Sequence, residues 1–371
     1  MSFGKKLTFL LCFVLPVVTV IGYKLGGWFN FAVPILVFGI LPLLDMAIGL
    51  DPENIDESQV EDIQNDKYFR YVTYAWSFLQ VGFVIWAVYL VATVSMTTLE
   101  YIGFIISVGV TTGGIGITVA HELGHKNTTF EQNLSKMVLM TVCYMHFFIE
   151  HNRGHHLNVS TPHDPASSRE GESFYKFYFR TVFGSYASAW NIEKKRLMKL
   201  EKSVLSWDNE MVRYPVYTLL FAAFTVLIPY VAVGTFSLAA VGFFFFQSIV
   251  AFSLLELVNY VEHYGLRRKE IGNGKYEKVM PVHSWNANHQ VSNAFLFQLQ
   301  RHSDHHANAG RRYQVLRHFD ESPQLPYGYE VMILLALVPP LWYKVVDPIL
   351  HKWQDNYEKE TGVAVPKAKV A

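Results

Sequence analysis

The chain has 371 residues, 51% hydrophobic and 15% aromatic, and its 31 basic and 31 acidic residues cancel to a formal net charge of zero. That balance excludes a protein held to nucleic acid by a basic surface, while the apolar content and positive mean hydropathy ask for a lipid bilayer. Cys12 and Cys143 lie in apolar runs without paired spacing, which excludes a disulfide framework and a thiolate metal site.

A hydrocarbon core of about 30 Å takes roughly 20 apolar residues to cross as a helix. Runs of that kind predict spans over 7–23, 28–50, 70–95, 98–120, 212–233 and 236–258. The first run follows Lys5 and Lys6 as a signal peptide would. It lacks a small-residue cleavage site and leads into a second apolar run, so it is expected to stay as an anchor. Six such runs argue against buried helices of a soluble protein. In the fourth, Gly109, Gly113, Gly114 and Gly116 permit close helix approach, a reading favoured over hollowing out a substrate passage. Residues 133–149 are apolar but borderline in length and are expected to be re-entrant or interfacial. Residues 190–205, with Lys194, Lys195, Arg196, Lys199 and Lys202, predict a basic helix at lipid headgroups. The piece 328–346, interrupted by Pro339 and Pro340, is expected to cap the fold, and the polar tail after 355 to be mobile.

Lysine and arginine near the span ends set the orientation. The turns 24–27, 96–97 and 234–235 hold one basic residue, Lys24, and the opposite connections hold Lys5, Lys6, Lys67, Arg70, Lys126, Lys202, Arg213, Arg267 and Arg268 among others. Both termini are therefore expected in the cytoplasm. The fold class expected is an all-α integral membrane protein, one domain over residues 1–371, with six spans and a cytoplasmic helical cap from 121–211 and 259–327.

That topology brings four histidine clusters to one face: His121/His125, His151/His155/His156, His263 and His302/His305/His306. Residues three and four apart share a helix face, so each cluster can turn imidazoles toward a metal. Nine ligands are too many for one ion and suit two. Imidazole leaves zinc, copper, iron and nickel open. His121 to His125 also match the H-E-x-x-H pattern of zinc peptidases, with Glu122 as base, but a peptidase would leave six clustered histidines without a role. A metal transporter would set ionisable groups near the bilayer midplane, whereas these clusters fall beyond span ends. Two divalent ions held by neutral rings need carboxylates to orient the rings and offset the charge. Glu122, Glu150, Asp164, Glu262 and Asp304 are the candidates. His146, His163, His283, His289, His318 and His351 read as packing or surface residues, with His163 and His289 worth probing because they flank ligand segments.

The run Asn259, Tyr260, Val261, Glu262, His263, Tyr264, Gly265, Leu266, with Gln300, Arg301, His302, Ser303, Asp304, His305, His306, Ala307 and the two earlier clusters, resembles the integral-membrane alkane monooxygenases. Xylene monooxygenase and the membrane fatty-acid desaturases are more distant members of the same histidine-box group. The resemblance spans residues 30–350. It implies six spans in a bacterial inner membrane and a cytoplasmic centre of two non-haem irons. It further implies hydroxylation of a terminal methyl group of an n-alkane with O2 and electrons from rubredoxin, itself served by a reductase. The family's iron ligands carry over to His121, His125, His151, His155, His156, His263, His302, His305 and His306. A desaturase or an arene-methyl hydroxylase is the related alternative.

The chemistry agrees with the resemblance, since breaking an alkane C–H bond needs an oxidant that zinc cannot supply and iron with O2 can. An alkane has no polar handle, so an apolar passage must select it, and Trp28, Phe38 and Leu43 are candidates for its far end. The chain holds no haem, paired-cysteine or flavin motif, so a separate electron donor is implied. Arg301, Arg311, Arg312 and Arg317 are candidates for docking it.

Overall fold

The computed structural model describes residues 1–234 and 236–363. Six helices are long and apolar enough to cross a bilayer: Phe3–Leu25, Gly27–Ile48, Lys67–Thr93, Thr98–Gly124, Glu210–Val233 and Leu238–His263. All six lie within a few residues of the expected runs. The fourth and sixth extend past them, which places His121 and His263 on the last turn of a membrane helix.

The fourth span is the hub, with 83% of its apolar window buried against 22% to 44% in the others. Glycine permits this. A Cβ on Gly113 would stand 2.6 Å from the Ala251 backbone of the sixth span, and one on Gly109 would stand 2.5 Å from Val250 Cβ, so larger residues would force the helices apart. Gly114 differs, because a Cβ there would meet nothing within 4 Å. Its missing side chain leaves space, the role that the sequence reading ranked second.

Two spans change their winding beside that space. The second is π-helical over Leu36–Ile40 and the fourth over Thr111–Ile117. Such bulges re-aim side chains and often accompany functional sites.

Residues 133–149 do not form one rod. The helix Thr129–Met140 ends in a turn where Cys143 takes φ 56°, and a new helix starts at Phe147. Val138, Leu139, Phe147 and Phe148 pack with Ile117 and Ala120 of the fourth span, so the segment folds back against that span. The basic stretch expected at 190–205 is the end of a longer helix, Phe174–Lys199, that stops before 200. The piece 328–346 is interrupted as expected, the helix Tyr329–Ala336 ending and Pro339–Thr361 beginning at the prolines, which suit a first helical turn. Trp342 of that helix is fully buried against Tyr260 and Tyr264, which seats it as a cap beneath the sixth span. The tail expected to be mobile after 355 continues this helix to Thr361, and residues 364–371 lie outside the described residues.

A small hairpin, Glu270–Gly272 with Lys275–Tyr276, departs from the all-α expectation. Gly272, Asn273 and Gly274 all take positive φ there, the backbone that a tight hairpin turn requires.

Candidate metal centre

The nine clustered histidines meet below the ends of the fourth and sixth spans in two groups. His121, His125, His151, His156 and His305 form one and His155, His263, His302 and His306 the other, with the ligating nitrogens of each group within 4.8 Å of one another. The other six histidines belong to neither group. His163 is exposed and His289 half-buried, so neither of the two singled out beside the ligand segments joins them.

Local winding decides the sharing. Residues His151–His155 are π-helical, with the His156 backbone N–H on the His151 carbonyl. An i→i+5 turn brings His156 beside His151 and sends His155 to the neighbouring group, a division that a plain α-helical reading of the cluster does not give. In the helix His302–Ala307, residues four apart join one group while His305, three from His302, joins the other.

The rings face each other through Nε2. The separations are 3.0 Å from His151 to His125, 3.1 Å from His156 to His151 and 3.0 Å from His156 to His305. In the second group they are 3.3 Å from His155 to His306, 2.9 Å from His306 to His302 and 3.3 Å from His302 to His263. Ligands at right angles on an ion about 2.1 Å away would stand about 3.0 Å apart. So many converging nitrogens cannot all pair as donor with acceptor, and bound metal would satisfy them together. Burial, followed by the charges of neighbouring rings, holds His125, His151, His302, His305 and His306 well below the usual imidazole range. That is the neutral, ligating form.

The five acidic candidates part company. Asp164 Oδ2 lies 2.9 Å from His155 Nδ1, behind the ring, where it fixes which nitrogen faces the centre. Burial opposes its charge, yet the His155 ring and hydrogen bonds from His155 and Ser167 keep Asp164 below the usual carboxylate range. Glu262 lies on the other side of a ring: Oε2 is 3.1 Å from His302 Nε2, the centre-facing atom, and Oε1 accepts the Tyr329 hydroxyl at 2.8 Å. Glu122 pairs with Lys126 at 2.9 Å, so the residue that would act as base in a zinc peptidase is engaged away from the rings. Asp304 holds Arg317 at 2.9 Å and Asn308 at 2.8 Å, bracing the segment after the last cluster rather than an imidazole. Glu150 is buried with Oε1 unpartnered and faces Ser188 and Gly154. Tyr329 was not anticipated, since only the fold brings it to Glu262.

Of the arginines expected to dock a partner, Arg301 is buried and Arg311, Arg312 and Arg317 are partly buried. Arg301 is 4% exposed, with its guanidinium on the carbonyls of Leu316, Asp51 and Glu53 at 2.7, 2.8 and 3.0 Å. Arg312 pairs with Glu131 at 2.9 Å. They hold the loops around the last cluster, which removes Arg301 as a docking residue.

An apolar chamber rises from the histidines between the second, fourth and sixth spans. His121, His151 and His302 stand at its base, with Phe38, Val110 and Leu254 farther along. At 1.5 Å per residue, Val110 lies roughly 16 Å up the fourth span from His121. Phe38 lines this chamber as expected. Trp28 and Leu43 do not, being 71% and 65% exposed on the outer faces of their helix.

Residues 97–335 match the model of the fatty acid desaturase family. The chain is 44% identical to alkane 1-monooxygenase 2 of Pseudomonas aeruginosa over 92% of both chains. The chain belongs to this family. It is also 42% identical to alkane 1-monooxygenase 2 of Alcanivorax borkumensis, over 89% of this chain and 84% of that one. Likeness to the hydroxylase component of xylene/toluene monooxygenase from Pseudomonas putida is lower, 27% over 72% of this chain. Histidines on helix ends beneath apolar spans thus belong to a family of membrane oxidoreductases, with a metal centre where the nine rings meet.

Proposed function

We propose that the chain is an alkane 1-monooxygenase that hydroxylates the terminal carbon of medium or long n-alkanes, with two non-haem irons held by the nine histidines. The observation that carries the reading is the chamber, an apolar shaft that ends on metal-facing imidazoles. Two irons, when bound, would supply O2 activation and the oxidant for the C–H bond. The protein's part is positional. The shaft selects a chain by shape and excludes water from the reacting end. Asp164 orients His155, and the Tyr329 hydroxyl holds Glu262 against His302.

Electrons come from outside the chain, and rubredoxin with its reductase is the proposed source. With Arg301 and Arg312 engaged internally, a groove beside Asp164 lined by Arg153, Arg169, Lys195 and Lys199 offers the cationic face for an acidic donor. The basic residues at span ends support a cytoplasmic centre in a bacterial inner membrane.

The test is anaerobic iron quantitation followed by turnover of a C8 to C16 alkane series with rubredoxin and its reductase. About two irons per chain and 1-alkanol products are expected. Zinc in an active preparation, or a double bond introduced into an acyl chain, would replace this reading.

A further inference from the structure

Among the polar groups that line the chamber outside the histidine site, Thr118 and Asn259 are hydrogen-bonded within the protein and Glu330 keeps an unpartnered oxygen. Glu330, at the start of the helix Tyr329–Ala336, is 5% exposed and lines the chamber. Its neighbours are committed: the Tyr329 hydroxyl donates to Glu262, and Asp45 Oδ1 accepts the backbone N–H groups of Val291 and Ser292 at 2.7 and 3.3 Å. Glu330 Oε2 has no hydrogen-bond partner.

Only glycine at 328 lets the backbone come this close to the carboxyl, at the edge of the chamber. A Cβ on Gly328 would stand 2.9 Å from Glu330 Oε2, 3.0 Å from Ser292 Oγ and 3.3 Å from Asp45 Oδ2. Three oxygens thus converge where any side chain but glycine's would intrude. Buried polar atoms nearly always find a partner, and one that does not calls for a missing ligand or water.

Position narrows the ligand. Asp45 lies near the end of the second span at Ile48, and His121 near the end of the fourth at Gly124. In a chain of antiparallel hairpins these two ends share a membrane face. Glu330 therefore sits at the level of the histidines, where oxygen enters the chain, and not at the far end beside Val110. Burial, with the Asp45 charge adding to it, pushes the Glu330 carboxyl up to about 8, so at neutral pH it both donates and accepts. A primary alcohol needs the same pair of roles. An alkane needs neither.

We infer that Glu330 binds the hydroxyl group of the 1-alkanol product and so distinguishes product from substrate inside the chamber. The inference rests on the alkane-hydroxylation reading. It makes release of the product depend on breaking a hydrogen bond that the incoming alkane never forms.

The experiment compares inhibition of octane turnover by 1-octanol in the wild type, Glu330→Leu and Glu330→Gln. One lost hydrogen bond should raise the ratio of the 1-octanol inhibition constant to the octane KM about tenfold in Glu330→Leu. In Glu330→Gln, which keeps a donor and an acceptor, the ratio should rise about threefold or less. An unchanged ratio in Glu330→Leu overturns the assignment and leaves a carboxyl that meets water only. A wild type that does not turn over octane defeats the parent reading instead. An infrared difference spectrum on adding 1-octanol to wild-type protein needs neither turnover nor the leucine variant. A shift of a protonated-carboxyl band that disappears in Glu330→Gln supports the site, and no such band overturns it.

Discussion

In the five-histidine group His125 and His156 are only partly buried, and among the described residues no carboxylate lies against its facing nitrogens. The four-histidine group is wholly buried, with Asp164 behind His155 and Glu262 against His302. The two groups share the π turn at His151–His155, yet on the proposed reading they would meet the cost of a bound ion differently, one by ligand number and the other by protein carboxylates in a wholly buried pocket. The second should therefore hold its ion longer, and a chelator should strip metal from the purified protein in two phases. A single phase would erase the distinction.

The strongest way to break the comparison is His263→Ala. It removes one of the four proposed ligands of that group, the one supplied by the sixth span. Metal content should fall by about half, and alkane turnover by on the order of 100-fold or more. Retained turnover would mean that the ring is not a ligand. Asp164→Asn acts on the same group more gently, because the ring remains but its orienting charge goes. A loss of about 10- to 100-fold in metal affinity or turnover is expected. The five-histidine group should keep its ion, as metal quantitation after mild chelation would read.

Chamber and outer face give a further contrast within one helix. Phe38 lines the chamber, whereas Trp28 is exposed. Phe38→Ala should shift the preferred alkane by a few carbons, with about a 10-fold or larger change in relative kcat/KM, because one pocket methylene is worth about 1–3 kcal/mol. Trp28→Ala should leave the chain-length profile in place. A profile that moves with Trp28 and not with Phe38 would put the passage on the wrong side of the span.

The spans were legible because a bilayer imposes length and apolarity on every crossing helix. The histidine pattern was legible because residues three and four apart share a helix face. What escaped depended on departures from those regularities. The π turn at His151–His155 reallocates His155, and Asn273 with Gly274 turns a hairpin inside a helical chain. Arg301 looked like a surface charge from its neighbours in sequence and is a buried brace for Asp51, Glu53 and Leu316. Sequence adjacency proved a mixed guide for carboxylates, since Glu262 beside His263 does reach His302. Asp304 sits between two clustered histidines and braces Arg317, while Asp164, nine residues from His155, reaches its ring.

The smallest expected effect concerns Glu330, whose environment is set by the chamber rather than by either histidine group. Burial pushes its carboxyl up to about 8 in the folded protein, against about 4.5 for an exposed glutamate. Between those values the unfolded chain has released the proton that the folded chain keeps, so stability falls as pH rises. The penalty accumulates at roughly 1.4 kcal/mol per pH unit as an upper bound, and it is complete once pH exceeds the folded value. Glu330→Gln has no proton to lose. Thermal midpoints in lipid nanodiscs from pH 5 to 8 should therefore fall in the wild type relative to Glu330→Gln, by a few degrees for each kcal/mol. Parallel curves for the two proteins would place the carboxylate in contact with water, open to the outside and charged at neutral pH. The chamber would then carry a fixed negative charge beside the histidines, a poor lining for an alkane shaft, and its boundary would have to be drawn on the near side of Glu330.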